Sequence, residues 1–456
     1  ALFDMSTPLI DSLRRAKDLE RYGFHTSAHH KGLAFPSDFD LSLDTTETDF
    51  SDDLLDPLPG GAIAEAEALA ARYWGADGAV FLAGGTTLGI QASVYAMYPG
   101  KGRALLWGPC HQAIFHILDL LDIPYDHIPL TLNPITYIKK EEEKNSEQVF
   151  SLFLCTSPDY YGRLLDLAEI RDFLDRKGIF FILDKAHGAH LAAEAYYEGR
   201  SPRPEADIEL ISCHKTLPAL TGAAIILVKR KDYSPKLRRA LRIFSTSSPS
   251  LLIAASNDYA RAFLETQGKE RLASWFQAKA EFVSDLPAPF KVMQAEKSGP
   301  YRGQDPLRLV IDTTSYGPGT YLYAKLLQYG LVAEMADLKR VVFILGPAQD
   351  PASLKALTEA LEEIGRDAYR DLPGAVAWRE TAEALDRLYE RAPKALRKET
   401  HERSDSDSQA VELRALDKLS PGEEDNVLAG ELVPYPPGIP IYYSGETLKP
   451  EEAQIL

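Results

Sequence analysis

Short apolar runs alternate with amphipathic segments between residues 60 and 265. The runs are short and mostly apolar, which favours buried strands. The predicted strands are residues 79–82, 104–107, 149–155, 179–183, 208–211 and 223–228. Segments with a helical period separate some of them, at residues 62–73, 87–98 and 111–121. This alternation predicts an α/β fold with a doubly wound, mostly parallel sheet.

The first 60 residues lack this alternation and are predicted to form an N-terminal arm. An amphipathic segment in the arm predicts a helix that starts at Ser6 and runs to about Tyr22. Pro8 supports this start, because proline is favoured in the first turn of a helix. The acidic run at residues 44–53 is, on composition alone, a solvated loop.

The chain beyond the alternating region has a third pattern. Residues 61–265 are predicted to form the large domain, and residues 266–456 a smaller α+β C-terminal domain. Strands are predicted in this last part at 307–311 and 340–344. A stretch rich in Glu, Lys, Arg and Ala over residues 352–418 predicts a long helix.

The composition is that of a soluble globular protein, with 45% hydrophobic and 26% charged residues in 456. The net charge of −17 argues against nucleic acid or an anionic membrane as a partner, because both attract basic surfaces. No apolar run reaches the ~20 residues of a membrane span, and no signal peptide is evident. Three scattered cysteines, Cys110, Cys155 and Cys213, fit a reducing compartment, so we expect a cytoplasmic protein.

Two charged side chains follow apolar runs of the large domain. Asp184 comes directly after the run 179–183, and Lys215 follows the run 208–211 and Ser212. Ligands of open α/β sheets bind at the carboxyl ends of the strands, so we expect the acid and the amine at one edge. A lysine there beside a buried acid predicts a Schiff-base enzyme that uses pyridoxal phosphate, with the acid pairing with the protonated ring nitrogen.

The residues after Asp184 offer alternatives. Lys185 is excluded as the Schiff-base lysine if Asp184 faces the cofactor, because neighbours in a strand point to opposite faces. His187 or His190 is expected to bond Asp184 and fix its orientation. The spacing of these histidines also suggests a metal, but no third ligand is evident, and we expect none.

A glycine- and threonine-rich segment, residues 84–89, follows a strand and opens a helix. Glycine lets the backbone approach an anion, which Thr86, Thr87 and the first helical N–H groups then bind. A strand–helix turn that merely needs glycine is an equally good interpretation. His111 begins the next helix, where an imidazole either lies on an aromatic cofactor or faces solvent.

Several motifs together resemble the fold-type-I pyridoxal phosphate enzymes, and among them the Orn/Lys/Arg decarboxylase family. The resemblance covers nearly the whole chain. The segments that resemble family motifs are F-H-T-S-A-H-H-K, I-A-E-A-E-A-L-A-A-R-Y-W-G-A-D, G-T-T-L-G, S-P-D-Y-Y-G, D-K-A-H-G-A-H, S-C-H-K-T-L, S-T-S-S-P-S and Y-P-P-G-I-P-I-Y-Y-S-G-E. It implies a lyase that decarboxylates arginine, lysine or ornithine and feeds polyamine metabolism.

The resemblance also implies roles by position. Lys215 would hold the cofactor, Asp184 would pair with the pyridinium, and His111 would stack on the ring. Ala186 and His187 would lie beside Asp184. The phosphate would be contacted by Gly85, Thr86, Thr87, Ser212 and His214. Ser247 and Ser248 would complete the phosphate site of a neighbouring subunit. The distal cation of the substrate would meet Glu47, Asp53 and Glu446.

The sequence departs from the family at some positions. Lys185 stands where the family has Glu, and Gly222 where Gln is common. Large members of the family carry an extra N-terminal wing domain and assemble into rings. We expect no such domain before residue 1, and therefore a homodimer rather than a ring. His214 or Lys215 is the expected proton donor to the substrate carbon. Two alternatives stay open: another fold-type-I enzyme, such as an aminotransferase or aldolase, and a non-catalytic protein that keeps the fold.

Overall fold

A computed structural model of the chain shows the fold. The structure describes residues 6–18, 42–46, 52–144, 149–294 and 299–366, and the backbone alone of 396–398, 426–427 and 447–448. These residues belong to two compact units. Unit 1 comprises the described parts of Ala1–Lys101, Leu164–Gln277 and Leu345–Pro351. Unit 2 comprises the described parts of Gly102–Arg163, Ala278–Ile344 and Ala352–Leu456.

The strands among the described residues include all those predicted from the apolar runs, together with others that the sequence analysis did not predict. They are β1 Gly78–Leu82, β2 Arg103–Trp107, β3 Tyr125–Ile128, β4 Phe150–Thr156, β5 Arg163–Leu165, β6 Phe180–Asp184, β7 Ile208–Ser212, β8 Ala224–Val228, β9 Lys291–Val292, β10 Tyr301–Gln304, β11 Arg308–Asp312, β12 Met335–Ala336, β13 Arg340–Ile344, β14 Leu396–Lys398, β15 Asn426–Val427 and β16 Thr447–Leu448. Each strand predicted between residues 60 and 265 is present, displaced by at most one residue at either end.

The helices of the described segments lie mainly between these strands. They are α1 Pro8–Asp18, α2 Ala62–Trp74, α3 Gly85–Met97, α4 Gln112–Leu120, α5 Pro134–Lys144, α6 Ala168–Lys177, α7 Leu191–Tyr197, α8 Cys213–Thr216, α9 Ser234–Phe244, α10 Leu251–Asp285, α11 Gly319–Gln328 and α12 Ser353–Arg366, with a 3₁₀ turn at Lys231–Tyr233. The single helix α10 continues through residue 265, where a domain boundary is expected from the sequence. The three-part division stays a prediction.

The strands of unit 1 lie in the order β1-β8-β7-β6. β6 and β7 are parallel, whereas β8 is antiparallel to both β7 and β1. All residues of β7 and β8 are buried, which explains why β8 is an uninterrupted apolar run and why β7 is apolar apart from Glu209 and Ser212. The prediction of an α/β fold with mostly parallel strands is confirmed.

Helix α3 packs closely on the strands of unit 1 at Gly89. A β-carbon there would lie 2.8 Å from a Leu210 methyl group and 2.9 Å from one of Leu82. Only a residue without a side chain lets the helix approach this near. Gly89 thus sets the depth at which the first turn of α3 meets the ends of β1 and β7.

In unit 2, β2 pairs in parallel with both β3 and β4. A separate antiparallel sheet has the order β12-β13-β11-β9. The sequence predicts four of these strands, namely β2, β4, β11 and β13.

The predicted long helix over residues 352–418 is wrong in part. α12 begins it as expected, but Leu396–Lys398 is a strand that pairs antiparallel with β3. Backbone pairing with β3 decides this conformation over the helical composition, as tertiary context often does. Residues 367–395 and most of those after 398 lie outside the described residues.

The arm helix α1 is attached to α10 within unit 1. The backbone N–H of Leu9 donates to Asp258 Oδ2 at 3.0 Å, and Arg261 donates to the carbonyl oxygen of Ser6. α1 begins at Pro8, within two residues of the predicted start. Its predicted end at Tyr22 lies outside the described residues.

Candidate active site

Strands β6 and β7 end side by side at one edge of unit 1. Asp184 lies opposite Leu210 in the parallel register. The backbone N–H of Lys185 donates to the Leu210 carbonyl oxygen at 2.9 Å, which continues the ladder past the end of β6. Asp184 and Ser212, the last residues of β6 and β7, are therefore delivered to the same edge.

Lys215 lies beyond β7 rather than at its end. The strand stops at Ser212, and the single helical turn α8 (Cys213–Thr216) follows it. The N–H of Cys213 still donates to the carbonyl oxygen of Ala223, at 3.0 Å, in register with the antiparallel pairing of β7 and β8. The expected strand-end lysine is thus a lysine on a helical turn.

The side chain of Lys215 reaches an imidazole. Its Nζ lies 3.2 Å from Nε2 of His187, which is buried. The sequence predicts that His187 or His190 orients Asp184. The backbone N–H of Ala186 donates to Asp184 Oδ1 at 3.1 Å, and the orienting role of the histidines stays a prediction. The structure places His187 beside the amine.

Two buried hydroxyl groups meet at the start of α3. Thr86 Oγ1 and Ser212 Oγ lie 3.2 Å apart. Gly85, at the first position of α3, has φ +71 and open space where a β-carbon would stand. Thr87 is exposed. Free N–H groups of a first helical turn attract anions, so this arrangement suits a phosphate group.

Gly222 contacts the start of α3. From the sequence alone, this glycine is known only as a departure from the family, in which Gln is common at the position. Its carbonyl oxygen accepts a hydrogen bond from the Gly85 N–H at 2.8 Å. Its φ is +91, and a β-carbon would lie 3.1 Å from the Ala83 carbonyl oxygen. Glycine is therefore required by both conformation and space, which the spacing of motifs could not show.

His214 is held by the backbone just before β8, next to Gly222. Its Nδ1 lies 2.9 Å from the carbonyl oxygen of Ala223, so Nδ1 carries a proton and donates it. Burial, assisted by the charge of Lys215, lowers the pKa of His214. The neutral ring therefore presents an unprotonated Nε2.

Trp74 positions the loop that carries His187. Its indole N–H donates to the carbonyl oxygen of Ala189 at 3.0 Å, and the side chain is buried. Trp74 lies in a segment that resembles a family motif, but the sequence does not predict its contact with Ala189. The two residues are far apart in the chain and meet only in the folded protein.

Lys185 turns away from Asp184, as strand alternation predicts. Its Nζ lies 3.2 Å from Glu209 Oε2 and 3.3 Å from Glu205 Oε2. The ion pairs lie largely inside unit 1, since only Glu205 exceeds one fifth exposure among the three side chains. This arrangement agrees with the exclusion of Lys185 as the cofactor lysine.

The roles of the other predicted site residues stay predictions. His111 belongs to unit 2, where its Nδ1 caps α4 by accepting from the Ala113 N–H at 3.2 Å; its stacking role stays a prediction. Other predicted residues, namely Ser247, Ser248 and Asp53, are exposed in unit 1. Glu47 and Glu446 lie outside the described residues.

The groups at this corner fit pyridoxal phosphate. Gly85 leaves open space beside two hydroxyls and a helix start. Thr216 Oγ1 is buried without a hydrogen-bond partner among the described residues, so one more acceptor or donor is available there. Asp184 supplies a buried carboxylate and Lys215 an amine. Phosphate, ring nitrogen and aldehyde thus each have a complementary group.

The architecture, the strand-end aspartate and the lysine on the turn after β7 define the class of fold-type-I pyridoxal phosphate enzymes. The solved constitutive lysine decarboxylase of Escherichia coli has this fold, with a TM-score of 0.75 at 19% identity, over 100% of this chain and 77% of that one. The family model for the Orn/Lys/Arg decarboxylase major domain matches residues 7–286. The chain belongs to the Orn/Lys/Arg decarboxylase family.

Two Bacillus subtilis (strain 168) proteins are similar over almost their full length. The uncharacterized protein YaaO is 29% identical, over 99% of this chain and 94% of its own. The arginine decarboxylase is 24% identical, over 98% of this chain and 92% of its own. The resemblance seen in the motifs, and with it the prediction of a pyridoxal-phosphate-dependent amino-acid decarboxylase, is confirmed at the level of the family.

The described segments hold neither a membrane-spanning helix nor a metal-binding cluster. None of their helices has the length and apolar character that crossing a bilayer requires. No group of three or more His, Cys, Asp or Glu side chains within those segments is arranged to hold a metal ion. The expectation that no metal takes part stays a prediction.

Proposed function

We propose that this protein uses pyridoxal phosphate to decarboxylate a basic amino acid, either arginine, lysine or ornithine. The observation that carries the proposal is the contact between Lys215 and His187. It lies at the edge of unit 1 where the strand before the buried carboxylate of Asp184 also ends. Membership of the Orn/Lys/Arg decarboxylase family and relatives named arginine and lysine decarboxylases support it.

The cofactor would supply an electron sink for the pair of electrons left behind when carbon dioxide departs. The residues of the chain do the rest. Thr86, Ser212 and the first N–H groups of α3 bind the phosphate. Asp184, held by the Ala186 N–H, keeps a proton on the ring nitrogen. Lys215 fixes the cofactor in place until substrate arrives.

Proton return to the substrate carbon is proposed for Lys215 rather than His214. His214 donates Nδ1–H to a carbonyl oxygen, and its lowered pKa leaves Nε2 unprotonated near neutral pH. The amine of Lys215 lies 3.2 Å from Nε2 of His187, a group that can exchange a proton with it. His214 then serves as a hydrogen-bond acceptor at Nε2.

The test is Lys215→Ala, with Lys229→Ala as a control on an exposed lysine that pairs with Asp175. We expect Lys215→Ala to lose the visible absorption of the bound cofactor and all release of carbon dioxide from arginine, lysine and ornithine. The control should keep both. Turnover that survives in Lys215→Ala would refute the assignment.

The same assay separates the other activities. Formation of a keto acid without carbon dioxide would indicate an aminotransferase. A purified wild-type protein that never takes up the cofactor would indicate a non-catalytic relative. The one sequence feature that favours a non-catalytic protein is Lys185, which stands where the family has Glu. Its ion pairs with Glu205 and Glu209 weaken that interpretation, because they show that the lysine is accommodated in the fold.

We further propose a cytoplasmic homodimer whose product, agmatine or a diamine, enters polyamine metabolism. The exposed Ser247 and Ser248 support the dimer, since the family resemblance assigns them to a neighbouring subunit. The three cysteines are buried and form no disulfide, which fits a reducing compartment. Light scattering of the cofactor-loaded protein tests the dimer, and a monomer would refute it.

A further inference from the structure

Lys185 occupies a position immediately after the cofactor-binding strand end, yet its side chain lies on the other face. Its ammonium group meets carboxylates of Glu205 and Glu209 at 3.3 and 3.2 Å. We propose that Lys185 is a positioning residue, which fixes the lateral alignment of Asp184 with Ser212 by bridging the ends of β6 and β7. This inference rests on the proposed function.

The bridge has a backbone half and a side-chain half. The Lys185 N–H donates to Leu210, two residues before Ser212. The Lys185 side chain then crosses to Glu209, the neighbour of Leu210 on β7. A residue tied to the adjacent strand by both its backbone and its side chain cannot slide along that strand without losing both interactions.

Glu209 binds both Lys185 and the chain segment that precedes β7. Its Oε1 accepts a hydrogen bond from the backbone N–H of Glu205, while its Oε2 meets Lys185. Glu209 is 3% exposed, and burial raises its pKa. A buried carboxylate needs a cation to offset its desolvation, so the position of Glu209 depends on Lys185.

The alignment matters because the two strand ends serve opposite ends of one ligand. Asp184 is proposed to meet the ring nitrogen, and Ser212, with Thr86, the phosphate. The distance between these groups is set by the register of β6 against β7. Small displacements of groups that hold a reactive ligand weaken its binding and chemistry.

The experiment measures the dissociation constant of pyridoxal phosphate and the visible circular dichroism of the bound cofactor. Lys185→Met should weaken binding about tenfold and change the dichroism. Lys185→Arg, which keeps the cation, should restore both to within about twofold of wild type. Lys229→Met is the matched control, because Lys229 also directly follows a strand of unit 1 but forms an exposed pair with Asp175.

A second variant covers the possibility that Lys185→Met alone fails to fold, since it leaves Glu209 buried without its cation. Lys185→Met combined with Glu209→Gln removes both charges. The inference is overturned if this folded double variant binds the cofactor as wild type does, with unchanged dichroism.

Asp184→Asn separates this failure from that of the proposed function. If Asp184→Asn leaves cofactor affinity and dichroism unchanged, the proposed role of Asp184 is wrong. If Asp184→Asn alters both while the double variant alters neither, only the positioning role of Lys185 is wrong.

Discussion

The side-chain nitrogen of Lys215 lies 3.2 Å from Nε2 of His187. Two positive charges at this distance repel strongly, so we expect at most one of the two groups to be charged at a time. A protonated amine donates a hydrogen bond to the unprotonated Nε2 and can pass its proton to the substrate carbon. The imidazole can then take a proton from solvent and hand it to the neutral amine, so His187 is in this view a proton relay for Lys215.

Replacing His187 with Gln should therefore lower kcat more than cofactor affinity. Glutamine keeps a hydrogen bond to Lys215 but cannot exchange a proton, and loss of a proton-transfer group typically costs 10²-fold or more. Steady-state kinetics across pH, with cofactor titration, checks this. His116→Gln, on an exposed ring of unit 2, is the control. Equal pH profiles for wild type and His187→Gln would contradict the prediction.

Replacing Gly222 with Ala should weaken cofactor binding as well as stability. The left-handed backbone at φ +91 costs a residue with a β-carbon about 1–2 kcal/mol, and the close Ala83 carbonyl adds to it. The displaced Gly222 carbonyl would then release Gly85. Gly199→Ala is matched in φ, at +75, but has open space around it. Both variants should lose stability in thermal unfolding, and only Gly222→Ala should lose cofactor affinity.

Replacing Trp74 with Phe should affect turnover through the His187 loop. The variant leaves the buried Ala189 carbonyl without its donor, which costs about 1–3 kcal/mol. Trp275→Phe is a close control, since its indole donates to the Gly346 carbonyl at 3.1 Å elsewhere in unit 1. Denaturant unfolding should show similar losses for both. A normal kcat in Trp74→Phe would exclude a role in positioning His187.

The buried His127 of unit 2 should make the protein sensitive to acid. Burial lowers the pKa of His127 to about 4 from 6.5, and its Nε2 donates to the Gly108 carbonyl at 2.7 Å. As pH falls below 6.5, the unfolded chain gains a proton that the folded protein does not, so stability is lost down to about 4. The shift corresponds to ~3 kcal/mol.

His127→Gln tests this, because glutamine can donate to Gly108 but does not titrate. The free energy of unfolding of wild type should fall more steeply with acidification than that of the variant. His116→Gln, on an exposed ring, should follow wild type. Parallel curves for wild type and His127→Gln would refute the assignment.

The strand ends of the site could be predicted, because the apolar runs before Asp184 and Ser212 are long enough to mark buried strands. The partners of Lys185 could not. Glu209 becomes its neighbour only through the register of β6 against β7, which no local pattern specifies. Gly222 departs from the family at its position, which the sequence shows. Its contact with Gly85 could not be predicted, because the two residues are far apart in the chain. The strand at Leu396–Lys398 was missed because pairing with β3 overrides a helical composition.

Strand β8 runs against both of its neighbours, so it begins at the edge where β1 and β7 end. Its entry segment offers the carbonyl of Gly222 to the Gly85 N–H and that of Ala223 to His214. Two carbonyl groups from adjacent residues thus hold the start of α3 and the helical turn that carries Lys215. A change in the path of the chain entering β8 would move both together, so the start of α3 and the turn α8 are mechanically one piece.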